Sequence, residues 1–288
     1  MSEIYTLSNG TLTAVFSTAG GELHSLKDKN GKEYIFRDMS VWEFSAPTLF
    51  PICGGLKDDK FIKDGKEYFL PKHGFVRTAE FVAESVSENS ITFLYTDNEE
   101  TLAVYPYRFE LRLIYTLDGN SLSVRYAVKN TGNEDMYYSI GCHEAYFCPD
   151  GIEGYSVVFD KKETLDTHGL DGNLLRYETT NVLTDSDVLK LDYEYFSSDA
   201  LVFSKFNSDA VELCANDGSR RIRVEFPEFS HLLFWTKANA FAPYICIEPW
   251  CGSPDMVDSV NDLTKRPGIL CVKPSETKNR DHKITILA

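Results

Sequence analysis

The sequence predicts an all-β protein, folded as one large antiparallel sandwich across residues 1–288. Three observations carry this reading. Apolar residues recur with period two, segments with helical apolar spacing are scarce, and no Gly/Ser linker, low-complexity tract or internal repeat divides the chain. A length of 288 residues suits one sandwich as well as two average domains. An apolar fraction of 43% excludes global disorder.

The elements follow in order. Asp28-Lys29-Asn30-Gly31-Lys32 joins two apolar stretches, and its Asn-Gly step predicts a tight primed turn. Ile91, Phe93 and Tyr95 alternate with polar neighbours. From Phe109 to Leu117 the odd positions are all apolar. Asp118-Gly119-Asn120 then signals a turn, and from Leu122 to Val128 the apolar residues fall on even positions. That pattern predicts a hairpin with one buried face. Ile222, Val224 and Phe226 repeat it between Arg221, Arg223 and Glu225. Ser253-Pro254-Asp255-Met256-Val257-Asp258 reads as the start of a short helix, with Ser as cap and Pro in the first turn.

Charge and targeting signals narrow the function. Lys plus Arg number 29 against 44 Asp plus Glu, a net charge of −15. Such a chain is not built for non-specific contact with nucleic acid or anionic membrane. The opening Met1-Ser2-Glu3-Ile4-Tyr5 has neither the basic region nor the apolar run of a signal peptide. No apolar stretch reaches the roughly 20 residues of a membrane helix, so a cytoplasmic protein is expected. The seven cysteines form no CxxC pair, so buried thiols are expected rather than a disulfide framework or zinc site.

Three segments carry candidate chemistry. In Pro71-Lys72-His73-Gly74-Phe75-Val76-Arg77, a Pro and a Gly bracket His73 in what reads as a loop entering a strand. His73 and Arg77 place a titratable donor near a fixed cation, a pair suited to hydroxyls or an anion. The plain alternative is a surface loop whose Arg pairs with an acidic neighbour. In Tyr138-Ser139-Ile140-Gly141-Cys142-His143-Glu144, read as a strand, Ile140 and Cys142 face the core. Ser139, Gly141 and His143 share the other face, where two small residues leave space beside a proton-transferring His. The competing reading is a half-buried His satisfied by a carbonyl. In Tyr244-Ile245-Cys246-Ile247-Glu248-Pro249-Trp250, Ile245 and Ile247 face one way, and Tyr244, Cys246, Glu248 and Trp250 the other. Pro249 is expected to halt pairing and leave Glu248 at the rim, where an edge-strand gatekeeper is the competing role.

Taken together, His73-Gly74-Phe75-Val76-Arg77, Gly141-Cys142-His143-Glu144-Ala145-Tyr146 and Cys246-Ile247-Glu248-Pro249-Trp250 resemble the aldose 1-epimerase (galactose mutarotase) family. The match is nearest its shorter bacterial branch. Ala46-Pro47-Thr48-Leu49-Phe50-Pro51 and Thr18-Ala19-Gly20-Gly21-Glu22-Leu23 also resemble that branch, and the segments run in the family's order along nearly the whole chain. The resemblance implies a β-supersandwich and exchange of the α and β anomers of an aldose, with no metal and no organic cofactor. It implies His143 as general acid and Glu248 as general base. His73, Arg77 and Asp199 are implied as sugar-binding residues, with Asp187 and Asp192 competing for the place of Asp199. One departure stands out. The family's Arg near the Leu-Phe-Pro stretch has no counterpart at 42–47 or 53–57, where Lys57 and Lys60 are the nearest cations. A free hexose is therefore the expected partner. A hexose-6-phosphate epimerase, a non-catalytic carbohydrate-binding module and a glycosidase are the alternatives; the last needs a second carboxylate facing Glu248.

Overall fold

A computed structural model describes residues 2–287. The alternating segments become strands of two large antiparallel sheets. The larger has nine strands, in the order Leu174–Lys190, Tyr155–Asp171, Ala210–Ala215, Arg221–Glu225, Thr277–Ile286, Ser121–Asn130, Phe109–Asp118, Ser90–Thr96 and Val82–Val86. The smaller has five. Ile140–Gly141 and Glu144–Phe147 lie end to end along one side of Tyr244–Cys251, followed by His231–Trp235 and Leu201–Phe203. A three-stranded sheet, Ile4–Ser8 with Leu12–Ser17 and Leu23–Asp28, packs into the same core.

The sequence period explains the layering. Side chains alternate across a strand, so each strand splits its residues between two faces. On the inner face of the five-stranded sheet, Ile140, Cys142, Ile245 and Ile247 join Leu113, Val124, Val157 and Ile284 of the nine-stranded sheet in one buried cluster. On the outer face, Tyr244 and Cys246 join one small cluster while Leu233 and Trp250 join another. The outer face is buried too, because loops cover it. It is therefore the face on which polar residues can be enclosed without entering the main core.

The hairpin forms as expected, with Phe109 opposite Asn130 and Asp118 opposite Ser121. Gly119 supplies the positive φ of +55° that the two-residue turn requires. Three local expectations are corrected. Asp28–Lys32 is not a primed turn. The Asp28 carboxylate accepts from the N–H groups of Asn30 (2.8 Å) and Lys32 (3.0 Å), and only Gly31, at φ +81°, is left-handed. Ser253–Asp258 forms no helix, because its backbone is bonded elsewhere. Asp255 N–H donates to Gly55 (2.9 Å), and the Asp255 carbonyl accepts from Leu175 N–H (2.8 Å). After His73 the chain enters a 3-10 turn at Val76–Thr78 rather than a strand.

Gly141 also reads differently in three dimensions. The space beside it does not stay open for a ligand. A Cβ there would lie 2.4 Å from Trp250 Cδ1 and 3.0 Å from Cys53 Sγ. The indole fills what the glycine vacates. Replacing Gly141 with Ala is therefore expected to destabilise the fold by about 1–3 kcal/mol through overpacking. Urea denaturation checks this, and a midpoint equal to wild type would show that the indole moves aside freely.

Candidate active site

The site begins with a register. Gly141 lies opposite Trp250, and Glu144 lies opposite Ile247. The two pairings are in phase, so Cys142 and His143 between them face Pro249 and Glu248. Cys142 N–H donates to the Pro249 carbonyl (3.3 Å). Proline has no N–H to return, and the Cys142 carbonyl instead accepts from the Trp250 indole Nε1 (3.0 Å). Pro249 thus interrupts one bond of the ladder without ending the strand. Glu248 is consequently not at the rim. It sits inside Tyr244–Cys251 and is 1% exposed. His143 Nε2 and Glu248 Oε2 are 3.2 Å apart on the outer face.

Loops bring the remaining groups. Pro71–Gly74 is a tight turn, closed by Gly74 N–H to the Pro71 carbonyl (2.9 Å). His73 is left-handed at φ +70°, and Gly74 follows at +71°. A Cβ on Gly74 would meet the Phe50 carbonyl oxygen at 2.2 Å, so only glycine fits there. The turn buries the His73 ring edge-on to His143, with centroids 5.8 Å apart. His73 Nδ1 accepts from Gly54 N–H (3.1 Å), which puts the proton of the neutral ring on Nε2. Arg77 lies over the Phe44 ring at 5.1 Å, and among the described residues it has no ion-pair partner. Asp199 also lines the cavity, 3.9 Å from Lys72 Nζ.

His143, Glu248, His73, Arg77 and Asp199 all line one cavity of about 380 Å³. Asp192 does not; it caps the 3-10 turn at Tyr193–Phe196. Asp187 is exposed on Leu174–Lys190 and does not line the cavity either. Neither Lys57 nor Lys60 reaches the cavity, and Lys72 is the lysine that does. The sequence reading passed over Trp42 and Trp235. Trp42 lies against the His143 ring at 5.0 Å, and Trp235 stands edge-on to it at 5.4 Å. Only their type hinted at this, because both are placed by long-range packing. The Glu22 carboxylate holds the loop carrying Pro47 by accepting from Ser45 N–H (2.6 Å) and Ala46 N–H (2.9 Å). A buried Arg266–Asp255 ion pair (2.8 Å) supports the Gly54 and Pro254 wall.

Burial dominates the electrostatics. It pulls the His143 imidazole down to about 3, and the Lys72 and Arg77 cations push the same way. Burial also drives the Glu248 carboxyl well above the usual carboxylate range, opposed by Lys72 and reinforced by Asp199 and Glu144. His73 is held well below its ordinary value by burial and by His143. Burial therefore favours a neutral His143 imidazole beside a protonated Glu248 carboxyl. Glu248 Oε1 is buried with no hydrogen-bond partner, an unmet demand that a ligand hydroxyl can answer.

Spacing along the chain does not reveal two mixed donor sets that the fold assembles. His143, Cys246 and Glu248 have donor atoms within 4.8 Å of one another, as do Cys142, Glu144 and His282 behind the sheet. Burial pushes the Cys246 and Cys142 thiols well up, which favours the protonated form that does not ligate. A larger hollow of about 440 Å³ lies on the nine-stranded sheet, crossed by the Arg125–Asp281 and Lys283–Glu225 ion pairs. It holds no comparable acid–base pair.

Known proteins share this arrangement of chain. A Lactococcus lactis protein, LacX, is 38% identical over 295 residues, covering 98% of each chain. The solved structure of a galactose mutarotase related enzyme from Lactobacillus acidophilus superposes with a TM-score of 0.94 at 31% identity, covering 99% of this chain and 98% of that one. A galactose mutarotase-like protein from Lactobacillus casei shares the fold at a TM-score of 0.93 and 24% identity, covering 99% of this chain and all of that one. The family model for aldose 1-epimerase matches residues 3–281, and with the relatives above it shows that this chain belongs to the aldose 1-epimerase family.

Proposed function

We propose that the protein is an aldose 1-epimerase that exchanges the α and β anomers of a free hexose. The buried His143–Glu248 contact at the base of the cavity carries this reading. Anomer exchange breaks the C1–O5 bond, and the C1 hydroxyl must lose a proton while O5 gains one. A pair sharing one proton meets both needs. With the proton on His143, the imidazolium donates to O5 and the Glu248 carboxylate accepts from the C1 hydroxyl. The ring opens to the aldehyde, and the pair is left as neutral imidazole and neutral carboxyl. That is the state burial favours. After rotation about C1–C2, O5 attacks the other face of the aldehyde. The O5 proton returns to His143, and the carboxyl proton goes back to O1. The two tautomers of the pair have the same net charge, and only one proton hop across the 3.2 Å contact separates them. His73, Arg77 and Asp199 hold hydroxyls, and the Trp42 and Trp235 rings keep water from the pair. No step uses a metal or organic cofactor.

A phosphorylated hexose is the second reading, supported by the unpaired guanidinium of Arg77 and the nearby Lys72. Assaying glucose and glucose 6-phosphate side by side separates the two readings through the ratio of their kcat/KM values.

Glu248→Gln and His143→Asn are each expected to lower the enzymatic anomerisation rate by roughly 10²–10⁴-fold, the usual worth of one proton-transfer group. The two groups act in one step, so the double variant should be little worse than either single one. Polarimetry of freshly dissolved α-glucose and α-galactose, with and without protein, provides the measurement. A fully active Glu248→Gln variant would reject the base assignment. Sugar binding without any acceleration by wild type would favour a carbohydrate-binding module instead.

The pH dependence follows from the same shifts. Acid removes activity when His143 takes up a second proton, because the pair then has no base, and this occurs only near pH 3. Alkali removes activity when Glu248 gives up its proton, and burial moves that loss well above the usual carboxylate range. The kcat/KM profile should therefore show no inflection near 6.5, the ordinary value of histidine. A limb centred there would contradict the burial argument.

A further inference from the structure

We propose that Glu144 and His282, buried between the two large sheets, are positioning residues that hold His143 within reach of Glu248. This rests on the epimerase reading above and adds two residues that do not touch the sugar. Neither takes part in the proton transfers, yet both are enclosed in the main core. His282 Nε2 lies 3.1 Å from Glu144 Oε1. Glu144 comes from the five-stranded sheet, opposite Ile247, and His282 from the nine-stranded sheet, opposite Val124. The contact therefore joins one sheet to the other.

Its place along the chain points to the role. Strand pairing stops at Gly141 and resumes at Glu144, and His143 lies in the gap. Two prolines border that gap. Pro249 is on one side. On the other, Leu49 pairs with Gly141 and Ala145 N–H donates to the Ser45 carbonyl (2.8 Å), which puts Pro47 beside His143. Neither proline has an N–H to give to the backbone around His143. Side chains anchor the segment instead. Before His143, the Trp250 indole holds the Cys142 carbonyl (3.0 Å). After it, Glu144 reaches through the core to His282. The Tyr126 ring is stacked on the His282 ring, with centroids 5.6 Å apart, and flanks this second anchor. Successive side chains leave a strand on opposite faces. A tether on Glu144 behind the sheet thus fixes the direction in which His143 leaves its front.

Stability alone is a poor reason for the pair. Apolar residues of similar volume often serve a core as well as a buried ion pair, or better. Here Glu144 Oε2 and His282 Nδ1 are also buried without a hydrogen-bond partner among the described residues, which adds to the cost. The pair supplies instead a contact between two particular atoms, one on each sheet. Interchangeable apolar side chains do not define such a point.

The test uses two variants of the full-length protein. The double variant Glu144→Leu with His282→Leu fills the space with apolar groups and should melt no lower than wild type. Glu144→Gln is nearly isosteric and loses only the ionic contact. Both are expected to lower kcat for α-glucose anomerisation by about 10- to 100-fold, the effect of a displacement of about 1 Å, with KM within about twofold of wild type. Nitrogen-15 NMR of histidine-labelled protein should show the His143 signal displaced or broadened in both. Wild-type kcat in either folded variant, a change in KM alone, or an unmoved His143 signal would overturn the positioning role and leave the epimerase reading intact. Loss of kcat only together with loss of the fold would make the contact structural and overturn it too. A wild type that accelerates no sugar would overturn the epimerase reading, and with it a catalytic role for the pair, whatever the His143 signal shows.

Discussion

The site depends on one register. Gly141 opposite Trp250 and Glu144 opposite Ile247 leave no choice about which residues face each other between them. His143 meets Glu248 at a position where opposed antiparallel side chains approach most closely. A one-residue slip of either strand would turn its own member of the pair towards the main core and leave the other without a partner. Pro249 and Gly141 guard this arrangement together. The proline leaves the Cys142 carbonyl free for the Trp250 indole, and the glycine gives that indole room. Two residues that weaken a strand in general stabilise this one through a single tryptophan.

The second constraint is enclosure. Polar groups as deeply buried as His143 and Glu248 are unfavourable if charged and alone. The fold meets this by placing them as neighbours 3.2 Å apart, beneath Trp42 and Trp235. The outer face of the five-stranded sheet makes this feasible. Loops tied down by Glu22 and by the Arg266–Asp255 pair roof it, so the pair is buried without lying between the two sheets.

Much of this was legible in the sequence, because period-two alternation directly encodes strand faces. The split of Ile245 and Ile247 from Cys246, Glu248 and Trp250 is observed as read. His143 opposite Glu248 required the pairing partner and its register, and a single strand does not state these. The errors share a cause. Pro249, Asn30-Gly31 and Ser253-Pro254 were read from local preference, and long-range hydrogen bonds decided each outcome. Trp42 and Lys72 were missed because loop packing, not periodicity, carries them to the cavity, and Trp235 because its strand does not state its pairing partner.

The central claim is that the buried pair holds a single proton and rests with His143 neutral. Nitrogen-15 NMR of protein labelled at histidine reads this directly, with His143→Asn assigning the resonance. A neutral imidazole that does not titrate from neutrality down to pH 5 is the expected result, since burial holds His143 at about 3. An imidazolium signal at neutral pH, or titration near the ordinary histidine value, would contradict it.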